Sequence, residues 1–127
     1  MPFVEPADML RGEPLRGWKG SFFHSENMTF GLWEIAADAV PLHEHSHPQE
    51  EVWNIVAGEI AFSVNGEERV VRQGSAVVIP ANALHSARPL GPCQAVVVDW
   101  PVRTELPGTG HSPARPSRAS SRRARSK

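Results

Sequence analysis

The chain has 127 residues, 40% of them apolar, with one cysteine, four tryptophans and no tyrosine, a length and composition that support one domain around one core. No run approaches the roughly 18 consecutive apolar residues of a membrane helix, the start Met1-Pro-Phe-Val-Glu-Pro carries no basic and apolar leader, and a lone Cys93 cannot close an internal disulfide, so a reducing cytoplasm is the expected setting. A formal charge of −1 hides an asymmetry: residues 1–100 hold 6 Lys/Arg against 13 Asp/Glu, whereas residues 101–127 hold 7 against 1.

Taken in chain order, residues 1–26 read as an N-terminal segment with the first strands, and only Ala7–Arg11 has any helical character. Phe30–Ala36 is rich in residues that suit a pleated sheet. Glu51–Ala57 reads as a strand closed by Gly58. Glu59–Val64, Asn65-Gly66 and Glu67–Val71 predict a hairpin, because Asn-Gly tolerates positive φ at both central positions of a type I′ turn. Gly74–Pro80 reads as a short buried strand, and Gln94–Trp100 as another. Short strands punctuated by Gly and Pro predict an all-β fold, an antiparallel barrel or jelly roll over residues 27–103. From Pro107 onward there is no Val, Ile, Leu, Met, Phe or Trp, so residues 104–127 are expected to be a disordered tail, His111 included. Its Arg118–Lys127 cluster could touch nucleic acid or an anionic surface; a solvated terminus is the plainer reading.

The chemistry concentrates in His45-Ser-His47-Pro-Gln-Glu-Glu51, answered by His85 after Pro80-Ala-Asn82. His45 and His47 are two apart, so on a strand both side chains leave one face. Pro48 bends or ends that strand before Glu51. Three imidazoles and a carboxylate suit Fe, Mn, Co, Ni, Cu or Zn better than calcium or magnesium, which want mostly oxygen. A histidine run alone would also fit a solvated loop; Glu51 and the distant His85 are what make an internal site. Pairing His43 with His45 would bring in Glu50 and disturb the spacing to Gly58, so His43 is left as a rim residue that orients a ligand or shuttles a proton. Alternation puts Trp53 and Ile55 on the face of Glu51 and so into a pocket, with Trp33 joining from a neighbouring strand; core packing is the alternative for both tryptophans. Asp99 and Glu34 are either salt-bridged edge residues or further carboxylates near the mouth. The general base would come from His43, Glu34, Glu50, Asp99 or His24, with His24 read as a mouth or surface residue. Cys93 reads as a small buried spacer, since no partner base stands nearby.

The pattern His45-x-His47-x3-Glu51-x6-Gly58 resembles the first signature of the cupin superfamily, and Gly74-x5-Pro80-x-Asn82-x2-His85 resembles the second, over residues 27–100. Asn82 stands where that pattern usually has glycine; asparagine is the non-glycine residue that best tolerates left-handed backbone, so the turn is expected to survive. The resemblance implies a small β-barrel, often a homodimer, with one divalent metal inside. It carries over His45, His47, Glu51 and His85 as ligands and Gly58, Gly74 and Pro80 as turn residues. Cupins include dioxygenases, sugar isomerases, lyases and decarboxylases besides binding and storage proteins, so the fold does not select a reaction. One carboxylate against a divalent ion leaves a positive centre that favours anionic or chelating oxygen ligands. The sequence thus points to a metal-dependent enzyme for a small oxygen-rich molecule, by dioxygenase-type or Lewis-acid isomerase/lyase chemistry, with Glu51, His43 and Asp99 as candidate catalytic groups. The alternative is a non-catalytic binding or sensing module with a structural metal.

Overall fold

Apolar residues at every second position fold the chain into strands that share one inner face. The computed structural model describes residues 2–103 and Leu106. Within them ten strands follow a single 3-10 turn at Pro6–Asp8: β1 (Leu10–Leu15), β2 (Trp18–His24), β3 (Thr29–Ile35), β4 (Leu42–His45), β5 (Glu50–Ala57), β6 (Glu59–Val64), β7 (Glu67–Arg72), β8 (Ala76–Ile79), β9 (His85–Pro89) and β10 (Cys93–Trp100). All pairings are antiparallel, in a six-stranded sheet ordered β1-β2-β3-β10-β5-β8 and a four-stranded sheet ordered β4-β9-β6-β7. The architecture is the expected jelly-roll barrel. In β5 the side chains of Glu51, Trp53 and Ile55 are buried, and in β10 those of Cys93, Ala95, Val97 and Asp99. These two central strands carry the core between the sheets, a packing that alternation alone produces.

Several sequence expectations change. The helical reading of Ala7–Arg11 reduces to the turn at Pro6–Asp8, because Leu10 onward pairs with β2 and the ladder outcompetes a short helix. β1 and β2 are integral to the six-stranded sheet, so the barrel starts well before residue 27. Leu106, placed by sequence in the tail, is 2% exposed and packs into the core cluster. β8 is an edge strand in which only Ile79 is fully buried and Val78 is 58% exposed, so its apolar run reflects β-propensity more than burial. His111 and Arg118–Lys127 lie outside the described residues.

The turns follow their residues. Asn65 and Gly66 take φ of 49° and 87°, and the paired Val64 and Glu67 leave a two-residue hairpin between β6 and β7. Asn82 takes φ 65°, the left-handed geometry that lets it replace glycine. Gly58 has φ 79°, and a Cβ there would run into the carbonyl of Pro92.

Candidate metal centre

Sheet register builds one wall of the site. The inner-facing row Phe22, Gly31, Val97 and Trp53 runs across β2, β3, β10 and β5 by direct Cα pairing, and the next row toward the mouth is His24, Thr29, Asp99 and Glu51. The core ends and polar chemistry begins between these two rows. The opposing sheet supplies the histidines. β4 and β9 pair so that His45 lies directly across from His85, joining the two sequence motifs in one ladder. β4 stops at His45, so His47 reaches the site from the following corner instead of from the strand predicted for it. That corner is pinned where the Asn82 amide donates to the His47 carbonyl at 2.8 Å, so the second turn holds the first motif in place.

The three imidazoles are oriented alike. Nδ1 lies 2.8 Å from the His43 carbonyl in His45, 3.1 Å from the Gln49 carbonyl in His47, and 2.9 Å from the Ala83 carbonyl in His85. A carbonyl only accepts, so each Nδ1 carries the hydrogen, and in a neutral ring the lone pair then lies on Nε2. The ring centroids of His45 and His85 are 4.2 Å apart, and those of His47 and His85 4.9 Å. Nε2 of His47 and of His85 are buried without a hydrogen-bond partner, 3.5 Å and 3.7 Å from the Glu51 carboxylate. Buried lone pairs facing a buried carboxylate repel one another unless a cation lies between them. The ligating atoms of His45, His47 and His85 lie within 4.8 Å of one another, as do those of His47, Glu51 and Asp99. Bonds of about 2.1 Å to one ion nearly fill such a span. His47 and His85 thus both stand beside Glu51, His45 joins them in the histidine cluster, and side chains of these types suit a divalent transition metal.

Glu51 is 4% exposed. Burial works to raise its carboxyl, but the neighbouring His47, Asp99 and Trp53 override that and hold it well below the usual carboxylate range. The Trp53 indole N–H donates to Oε1 at 2.8 Å. Asp99, 6% exposed, is pushed the other way, by burial first and then by the neighbouring Glu51, with Arg103 opposing. Two buried carboxyls side by side disfavour each other's ionisation, which is the direction in which Asp99 is pushed, while the Arg103 guanidinium beside both works against it. Burial lowers His85, which favours the neutral ring that metal binding requires.

The remaining sequence candidates separate clearly. Asp99 belongs to a central strand beside Glu51, not to an edge. His43 is exposed at the cavity mouth, and its backbone carbonyl holds the His45 ring. Glu50 points outward from β5, and Glu34 sits on the outer face of β3, so neither reaches the site. His24 is half-buried across from Thr29 on β3 and does not line the cavity; its Nδ1 lies 3.0 Å from the Thr29 hydroxyl, and burial lowers it to about 4. Cys93 is buried and burial raises its thiol, as a packing residue requires.

A cavity of about 280 Å³ opens onto Glu51 and His45. Trp33 and Trp53 both line it, joined by Trp18 and Phe22. Ile55, expected in the pocket, is sealed in the core instead, two rows below Glu51 on β5. The tryptophans serve as core and wall together: Trp18 meets Trp33 and Trp53 edge-to-face at 5.9 Å and 6.3 Å. Sequence reasoning missed Trp18 and Phe22, although their alternation about Gly20 was a strand signal. It also missed Thr29 and Arg103. For Arg103 the signal was slight, a four-residue spacing from Asp99 beyond the end of a strand.

Comparison with known proteins agrees with this geometry. A family model described as Cupin domain matches residues 31–100. An uncharacterized protein of Streptomyces coelicolor is 34% identical over 64 residues, half of this chain, and the chain spans 60% of that relative's length. Among solved structures, an RmlC-like cupin from Shewanella frigidimarina superposes with a TM-score of 0.73 at 18% identity, covering 81% of this chain and 93% of that one. Oxalate decarboxylase from Bacillus subtilis, a protein described with Mn(II) centres, gives a TM-score of 0.67 at 16% identity over 77% of this chain and 29% of its own. At such identities the likeness concerns the fold alone. Among the described residues no helix is long and apolar enough to cross a membrane.

Proposed function

Because this chain belongs to the cupin domain family, we propose that it is a metal-dependent enzyme in which His45, His47, His85 and Glu51 hold one divalent transition metal beside a cavity for a small oxygen-rich molecule. The observation that carries this reading is a cluster of three imidazoles, each ring fixed by a backbone carbonyl, with Nε2 of His47 and His85 buried and unpartnered beside the Glu51 carboxylate. A bound ion would act there as a Lewis acid toward a carbonyl or enolate oxygen. The chain's own residues then divide the work. Trp53 orients Glu51 through its indole N–H. The apolar walls exclude water from the inner end of the cavity. Asp99 lines the cavity wall, within reach of a molecule seated against Glu51 and His45, where a carboxyl can accept or deliver a proton. A carboxyl so placed suits isomerase or lyase chemistry, in which a proton must be delivered and recovered at a carbon or oxygen. The single buried thiol suits a reducing cytoplasm.

A donor set of three imidazoles and a carboxylate also suits dioxygen chemistry on iron or copper, which makes a dioxygenase the second reading. Metal-loaded protein incubated in D₂O with a panel of hydroxy-ketones, uronates and diketones separates the two. Deuterium incorporation without oxygen uptake is the expected result. Oxygen uptake would favour the second reading. Silence with manganese, iron, cobalt, nickel, copper and zinc in turn, in protein proven to hold the metal, would contradict both and leave a non-catalytic binding module.

A further inference from the structure

We infer that Arg103 is the residue that reads a carboxylate on the ligand, and that the cavity takes small molecules with one anionic end and a flat apolar body. This rests on the cavity being the working site proposed above, and it adds the class of ligand and the residue that selects it. Among the described residues lining the cavity, Arg103 is the one lysine or arginine. It lies beyond the last strand, yet it is not loose there. Its backbone amide donates to the Thr29 hydroxyl at 3.0 Å, and the preceding Val102 carbonyl accepts from the Gln49 side chain at 3.4 Å, which straps the segment across the mouth.

Among the described residues, its guanidinium has capacity to spare. Nη1 stands 3.6 Å from Asp99 Oδ2 and 3.7 Å from Glu51 Oε2, both longer than a well-formed N–H···O bond. Both contacts fall on one nitrogen of a group with five donors, and the side chain is 25% exposed. Glu51 is already engaged by Trp53 and faces two imidazoles, so it is a poor sole counter-ion. An arginine with open donors beside a cavity is the group best shaped for bidentate capture of a carboxylate.

The rest of the cavity decides the body of the ligand. Its polar groups gather at one end, with Thr29, Asp99 and Glu51 in a single row, whereas Trp18, Phe22, Trp33 and Trp53 form the walls. Gly31 is among the lining residues, and a Cβ there would press on the Phe22 ring at 3.2 Å, so glycine keeps the slot open. The volume of about 280 Å³ has room for roughly nine water-sized groups. Benzoate, with nine non-hydrogen atoms, is a probe of that size and polarity, and benzamide is its neutral counterpart.

The test is titration of benzoate and of benzamide into wild type, Arg103→Gln and Arg103→Lys by calorimetry or ligand-observed NMR. Each protein is measured metal-loaded and after chelation, with its metal content determined. The wild type is expected to prefer benzoate by about tenfold or more. Arg103→Gln should lose about tenfold or more in benzoate affinity while benzamide binding and metal content stay unchanged, and Arg103→Lys should fall between, since lysine keeps the charge without the fork. Equal benzoate affinity in wild type and Arg103→Gln, or no preference for benzoate in the wild type, would overturn the inference while one metal per chain left the metal reading standing. Conversely, loss of benzoate binding in Arg103→Gln with no metal taken up by any variant would support Arg103 and defeat the metal reading.

Discussion

Replacing Trp53 by Phe tests how Glu51 is held. The indole N–H donates to Glu51 Oε1 at 2.8 Å, with Trp53 3% and Glu51 4% exposed. A hydrogen bond to a charged group contributes about 1.5–3 kcal/mol. The substitution also trims a ring packed edge-to-face on Phe62 at 5.0 Å and on Trp18, a loss of shape that costs about 1–3 kcal/mol by itself. The two effects separate in a double-mutant cycle with Glu51→Gln, followed by urea unfolding of metal-free protein at neutral pH. The packing loss cancels in the cycle, and a coupling of about 1.5–3 kcal/mol remains for the bond. In the metal-loaded protein, Trp53→Phe should weaken metal affinity about 10–100-fold, as expected when the partner of a ligating carboxylate is lost. A coupling near zero, with unchanged metal affinity, would refute the idea that the indole positions Glu51.

The other predictions concern the ligands, a turn and pH. His47→Ala should remove most of the metal while His43→Ala keeps at least half, because His43 contributes its backbone carbonyl to the His45 ring and alanine retains that carbonyl; equal loss by elemental analysis would mean the ligand register is wrong. Gly58→Ala should cost about 2 kcal/mol or more in urea, since φ 79° is unfavourable for alanine and its Cβ would meet the Pro92 carbonyl. Gly66→Ala, at φ 87° with open space around it, should cost only about 1 kcal/mol, and the reverse order would contradict the packing. His24 is lowered by burial to about 4 from 6.5, so as pH falls the unfolded chain takes up that proton before the folded one. Stability should therefore drop between about pH 6.5 and 4, less steeply in His24→Asn; parallel pH profiles for the two proteins would rule out this contribution.

Sequence spacing was enough to name the candidate ligands that the fold gathers, because a strand's period of two and the corner at Pro48 fix the directions of His45 and Glu51 locally. The Asn65-Gly66 hairpin and the left-handed Asn82 were equally readable, since backbone conformation there depends on the residue itself. What escaped depends on register across distant strands. Asp99 becomes a neighbour of Glu51 only because β10 inserts between β3 and β5. Arg103 and Thr29 meet across 74 positions of sequence. Ile55 shares the face of Glu51, as alternation required, but alternation gives a face and not a depth, and its row lies below the cavity. β1 and β2 were read only as first strands ahead of the barrel because Gly12, Pro14 and Gly20 interrupt their pattern.

Elemental analysis of untagged protein, loaded with a first-row divalent metal and freed of excess, tests the shared site most directly when wild type and His85→Ala are compared. His85 is 1% exposed and comes from the strand opposite His45, so its removal breaks the link between the two motifs. One metal per chain in the wild type, and a small fraction of that in a His85→Ala protein whose near-ultraviolet circular dichroism is unchanged, is the predicted result. A wild type that takes up none, or a His85→Ala protein that retains a full equivalent, would contradict it.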